Sequence, residues 1–213
     1  MGVLDQSLDE AALPVFTPAF RRDLDILLRS RRNTERFEAT PLPERFVAQI
    51  LRASFATQQR VPCQFVRLGS VMARKATLAN FEDRNALTLA SSPGAPRTRD
   101  ARLSRAALRD APVQFAVFHD DDASITSGGG RGRDGAIEAV ARMSLLAHAL
   151  GIGFRRIPTL DPHAMARFLA VPSDWCFVAC LCLGYSADEG HDPMADKAWR
   201  RERQYIPDGV LHR

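Results

Sequence analysis

The run Trp175–Tyr185, WCFVACLCLGY, constrains the fold most. It is apolar from end to end yet far short of the roughly 20 residues a membrane-crossing helix needs, so it reads as a buried strand over Cys176–Leu183. Alternate residues of a strand face opposite sides. Cys180 and Cys182 therefore share a face, and simple alternation adds Cys176 to it. Three thiols in a row suggest a metal edge. The remaining cysteine is Cys63, however, and no Cys or His pair elsewhere supplies zinc-ligand spacing. The three read as small hydrophobes, and no metal is expected.

The chain leading to this strand alternates helical and extended patterns. Phe20, Leu24, Leu27 and Leu28 form one stripe of a helix over Pro18–Ser30, with Pro18 in its first turn. Phe46, Val47, Ile50, Leu51 and Phe55 mark a second helix after Thr40-Pro41-Leu42-Pro43. Strands are expected over Gln64–Leu68, over Val113–Phe118 and from Gly153. A long helix spans Asp134–Leu150 and stops at Gly151, and Asp161-Pro162 caps a short one. His148, on the long helix, reads as a satisfied core histidine, and His119 to Asp122 as a solvated turn. Residues 1–17 form an arm. Residues 18–213 form one domain, in which 80–110 reads as a lid or as a surface helix pair. The class is α+β: a mainly antiparallel sheet packed by helices. Helices 18–30 and 134–150 carry more apolar surface than a small sheet can cover, so a homodimer is expected.

Charge narrows the function. The 213 residues carry a formal charge of +4, and Lys75 and Lys197 are the only lysines. Arginine grips phosphate or carboxylate with a planar fork where lysine offers a point charge. A charge of +4, with few aromatics among the arginines, argues against nucleic-acid binding. The amino terminus, MGVLDQSLDE, is acidic and lacks an apolar core, so a cytoplasmic location is expected and no membrane partner.

The order of pieces carries a resemblance. A first helix ends in Arg-Arg-Asn, and a Pro-Leu-Pro-Glu helix and a strand opened by Pro-x-x-Phe follow. Ala111-Pro112 precedes the next strand, a long helix runs into Gly-x-Gly, and Val171-Pro172 leads to Leu-Cys-Leu-Gly-Tyr. Trp199-Arg200-Arg201-Glu202-Arg203 lies in the tail. From about residue 20 onward the chain resembles the nitroreductase superfamily of FMN-dependent enzymes, and within it the flavin-cleaving 5,6-dimethylbenzimidazole synthase branch. The resemblance implies a nitroreductase-like homodimer and an FMN-dependent oxidoreductase. Its chemistry would be that of reduced flavin with oxygen or another small-molecule substrate, as in making the lower ligand of cobalamin. It implies that Arg31, Arg32 and Arg203 hold the FMN phosphate with Asn33 beside them. Pro62, Cys63 and Gln64 would contact the flavin ring, which lies between subunits.

Several positions depart from the family pattern. Glu35 stands where an arginine is usual, and its charge opposes a phosphate unless Arg36 compensates. Over residues 55–63 the serine and the glutamine of the family's flavin-contacting pattern are not at their expected positions. Asn33 replaces the synthases' carboxylate and cannot take up a proton as a carboxylate does. Pro158 falls where a polar residue is expected, and has neither hydroxyl nor backbone N–H. Asn33 and Pro158 are thus the substituted catalytic positions. Two alternatives stand beside the enzyme reading: a flavin-holding protein with little turnover, and a flavin-free scaffold.

Overall fold

The computed structural model describes residues 15–54, 63–120 and 131–187. Four strands, β1 (Cys63–Arg67), β2 (Val113–Asp120), β3 (Gly153–Ile157) and β4 (Trp175–Gly184), form one sheet in the order β1-β2-β4-β3. All three pairings are antiparallel. Among the described residues seven helices occur: α1 (Pro18–Ser30), α2 (Glu44–Ser54), α3 (Val71–Arg84), α4 (Ala86–Ala90), α5 (Pro96–Asp110), α6 (Arg131–Ala149) and α7 (Pro162–Phe168).

Two apolar layers explain why β2 and β4 lack the alternation of a half-exposed strand. On one face, Val47 and Ile50 of α2 and Val140, Met143 and Ala147 of α6 pack on Val113, Phe115, Val117, Leu181 and Leu183. On the other, Phe81 of α3, Ala101, Ala107 and Leu108 of α5 and Met165 of α7 pack on Ala116, Phe118, Cys180 and Cys182. The apolar run of β4 is buried from both sides.

Alternation fails at one point along β4. Val117 pairs with Ala179 but Phe118 pairs with Phe177, so Val178 is an extra residue. The bulge puts Phe177 on the face of Cys180 and Cys182 and turns Cys176 to the opposite one. The expectation of three thiols on one side is therefore corrected to two, both fully buried, with Cys176 exposed. Strand β2 also continues past the apolar residues to Asp120. His119 is buried at its end rather than solvated in a turn, and donates from Nδ1 to the Asp120 carbonyl at 3.2 Å. A β-carbon on Gly132 of α6 would lie 3.1 Å from that ring nitrogen and 2.7 Å from the same carbonyl oxygen. The absence of a side chain there lets α6 close on the strand.

Helix α1 begins at Thr17, whose hydroxyl accepts from the Phe20 N–H at 3.1 Å, with Pro18 in the first turn. None of its residues is buried, and Phe20, Leu24, Ile26 and Leu28 are all at least 40% exposed. Helix α6 ends with Gly151 at φ +70°. The Gly151 N–H returns to the His148 carbonyl and the Ile152 N–H to Ala147, which closes the helix and starts β3.

Candidate functional site

The segment between α1 and α2 is tied to the outer edge of β3. The Thr34 N–H donates to the Phe154 carbonyl at 3.1 Å, and the Phe154 N–H donates to Thr34 Oγ1 at 2.9 Å. The Thr34 carbonyl accepts from Arg155 Nη1 at 3.3 Å. All three polar handles of Thr34 are thus held by two consecutive residues of β3. Four residues earlier, Ser30 Oγ and His148 Nε2 share a hydrogen bond of 2.8 Å, which fixes the end of α1 to α6. Arg31, Arg32 and Asn33 form the span between these two anchors, with Arg32 and Asn33 exposed.

Arg155 is buried with 3% exposure and makes no bond to water-facing groups other than Asp100. Its Nε reaches Ser104 Oγ at 3.3 Å, and its Nη2 reaches Asp100 Oδ1 at 2.5 Å and Ser104 Oγ at 3.2 Å. Asp100 and Ser104 lie one turn apart on α5. A buried guanidinium is tolerated where its fork of donors is filled, and this one reaches three residues on two segments. A second link runs beside it. Arg99 Nη2 lies 3.3 Å from Glu35 Oε1, so the unexpected carboxylate is paired with Arg99 of α5 rather than with Arg36.

Burial lowers the His148 pKa below its ordinary value, and the positive charge of Arg31 adds to the effect. The imidazole beside the arginine span is therefore neutral near pH 7. Cys63 is half-buried, and burial pushes its thiol up, against the opposing pull of Arg142. That is the environment of a thiol, not of a thiolate nucleophile.

The sequence-predicted residues fall into two groups. Arg31, Arg32 and Asn33 sit together beside the start of β3, and Pro158 is exposed just past its end. Cys63 and Gln64 open β1, on the other edge of the sheet. Cys63 stands opposite His119, which stands opposite Cys176, while Phe154 stands opposite Leu183. The two groups are three strands apart, roughly 14 Å, and offset by roughly 20 Å along the strands. One chain does not bring them together. Pro62 and Arg203 lie outside the described residues.

Sequence reasoning gave Thr34 no role and did not single out Arg155 from its pair with Arg156. The signal was present: of two consecutive arginines in a strand, one must point inward. A separate groove of about 640 Å³ between α3 and α7, lined by Asn80, Asp83, Arg84, Asp161 and Phe168 among others, contains none of the predicted residues. Among the described residues no three His, Cys, Asp or Glu side chains are grouped to hold a metal ion, and no helix is long and apolar enough to cross a membrane.

Comparison with known proteins agrees with this architecture. The chain is 32% identical over 202 residues to the 5,6-dimethylbenzimidazole synthase of Rhodospirillum rubrum, covering 90% of this chain and 96% of that one. It is 30% identical over 197 residues to the enzyme of the same name from Rhodobacter capsulatus, covering 88% and 95%. Among solved structures, iodotyrosine deiodinase bound to FMN and 3-iodo-L-tyrosine superposes with a TM-score of 0.65 at 16% identity, over 89% of this chain and 97% of that one. A nitroreductase family protein from Clostridium novyi NT gives 0.59 at 17% identity, over 77% and 86%. The structures share the fold. The nitroreductase family model matches residues 28–185, from the end of α1 through β4, and the chain belongs to the nitroreductase family.

Proposed function

We propose that the chain is an FMN-dependent oxidoreductase that works as a homodimer, with Arg31, Arg32 and Arg203 holding the flavin phosphate. The observation that carries this reading is the anchored span. Two guanidinium groups and a carboxamide stand between a pin at Ser30 and a pin at Thr34, a donor set suited to a dianionic phosphate. Holding the span in advance lowers the ordering cost of binding. The pairing of Glu35 with Arg99 offsets a negative charge that would otherwise oppose the anion.

The same geometry supports the homodimer. Cys63 and Gln64 lie at the corner of the sheet diagonal to Arg31–Asn33, so a flavin that uses both groups needs a second copy to bring its own Cys63 corner to the span. The uncovered apolar residues of α1 supply surface for such a contact.

FMN, when bound, supplies hydride uptake and delivery to an acceptor such as oxygen or another small molecule. This chain's residues bind and orient it: the span grips the phosphate, and the segments at Pro62–Gln64 and after β3 border the ring. Proton transfer is where the chain is poor. Asn33 stands where the resemblance to the synthases expects a carboxylate, and Glu35, two residues on, is engaged by Arg99. Plain flavin redox chemistry therefore suits these residues better than flavin cleavage to 5,6-dimethylbenzimidazole. Flavin holding with little turnover is the second reading, favoured by the same Asn33.

The test is the purified protein itself. A visible flavin absorbance, identified as FMN after denaturation, supports the reading, and a colourless protein that takes up no added FMN overturns it. Arg31→Ala and Arg32→Ala should each weaken FMN binding by about 1.5–3 kcal/mol, the worth of a charge-assisted hydrogen bond. Sedimentation should give a dimer at micromolar concentration.

A further inference from the structure

We propose that Arg155 is a positioning residue for the anion site: it sets the Arg31–Asn33 span from behind and couples that span to α5. The inference rests on the phosphate reading above. Arg155 is the one arginine buried among the described residues. Burying a guanidinium is costly, so a packed apolar residue in its place would serve stability at least as well. What an apolar residue would not do is hold the Thr34 carbonyl. Arg155 binds that carbonyl with one nitrogen and spends the others on Asp100 and Ser104. Its planar fork thus joins three segments, β3, the span and α5, through one rigid group.

The direction of the coupling follows from the bonds. Asp100 is largely exposed, and Arg99 beside it reaches Glu35, just past Thr34. Both links run from the same turn of α5 to the same end of the span. A shift of α5 therefore moves the Thr34 end, while the Ser30 end stays on α6. The spacing of Arg31 and Arg32 about an anion is set by the distance between these ends. An anion held by the span, conversely, steadies α5.

The experiment compares FMN with riboflavin, which has the same ring and no phosphate. The wild-type protein should bind FMN at least tenfold more tightly. Arg155→Met should lose at least tenfold in FMN affinity with riboflavin affinity kept within twofold, and Arg155→Lys should recover part of the loss. The pair Asp100→Ala with Ser104→Ala removes the side-chain partners on α5 while leaving the buried arginine on Thr34 and on the Asp100 main-chain carbonyl, and keeps the test decisive if Arg155→Met does not fold. It should lose threefold or more for FMN alone. Hydrogen exchange should show α5 amides protected on adding FMN to wild type, and not in the double variant. Equal losses for both flavins, tracking thermal stability, would reduce Arg155 to a structural role and overturn the inference. So would unchanged FMN discrimination in folded variants. Should wild type bind both flavins equally, the phosphate reading itself fails and the inference falls with it.

Discussion

A β-carbon on Gly153 would fall 2.7 Å from Thr34 Oγ1, closer than such atoms approach. The Thr34 hydroxyl occupies the space of a missing side chain while it accepts the Phe154 N–H. The opposite side is closed too, with the Gly184 carbonyl 3.0 Å from the same point. Gly153→Ala should therefore push the Thr34 segment off β3, costing about 1–3 kcal/mol, as overpacking does. Urea denaturation measures it. Gly69→Ala, with nothing within 4 Å, is the control and should shift the midpoint little.

Thr34→Val tests the hydrogen bond rather than the space. The shape is kept, but the Phe154 N–H loses its acceptor in a buried position. An unsatisfied buried donor costs about 1–3 kcal/mol. The loss should exceed that of Thr40→Val, since the Thr40 hydroxyl donates to Glu38 in an exposed contact.

Ala170 has φ +52° after α7, where the Ala170 N–H returns to the Arg167 carbonyl and the Val171 N–H to Ala166. This is the position that ends α6 at Gly151, but here it is filled by a residue with a β-carbon. Ala170→Gly removes the left-handed penalty of about 1 kcal/mol and gives back part of it as unfolded-chain entropy. A gain of about 0.5 kcal/mol is expected, read as a higher denaturation midpoint. A loss would mean that the Ala170 methyl makes packing contacts worth more than the strain.

His148 should make stability fall on mild acidification. Its folded pKa lies below the ordinary 6.5 because burial, aided by Arg31, disfavours the charged ring. Below about pH 6.5 the unfolded chain takes up this proton first, so unfolding binds protons and stability drops as pH falls, until the folded pKa is passed. His148→Gln should flatten this part of the profile between pH 7.5 and 5.5. An unchanged slope would assign the dependence to other groups.

The parts legible in the sequence are those decided by local chemistry. Pro18 starts α1, Asp161 caps α7 through the Ala164 N–H, and Gly151 ends α6, each by an interaction within a few residues. Illegible were the features set by pairing between distant segments. Alternation along one strand cannot register the extra Val178, and so misplaced Cys176. The buried state of His119 depends on α6 closing over it at Gly132. Arg155 was not singled out because its partners lie 51 to 121 residues away in the chain. The diagonal separation of Arg31–Asn33 from Cys63 is a property of the strand order, which no local pattern carries.

On the proposed reading, Asn33 would set which chemistry the flavin site supports. A carboxylate there could take up and return a proton near neutral pH, whereas a carboxamide has no such equilibrium. General acid–base help is worth roughly a hundredfold or more in rate. Given reduced FMN and oxygen, the wild-type protein should thus form 5,6-dimethylbenzimidazole at least about a hundredfold more slowly than an intact synthase, assayed by mass. Asn33→Asp is the informative variant. Asn33 is exposed and in an anchored span, so the substitution needs no repacking. It does add a negative charge beside Arg31 and Arg32, and FMN affinity should fall modestly. At saturating FMN, product formation should rise at least tenfold, with a new acidic limb in the rate–pH profile from the added carboxyl group. A rise without that limb would place the effect in flavin orientation rather than proton transfer. Wild-type turnover at the pace of an intact synthase would mean that proton traffic uses another group.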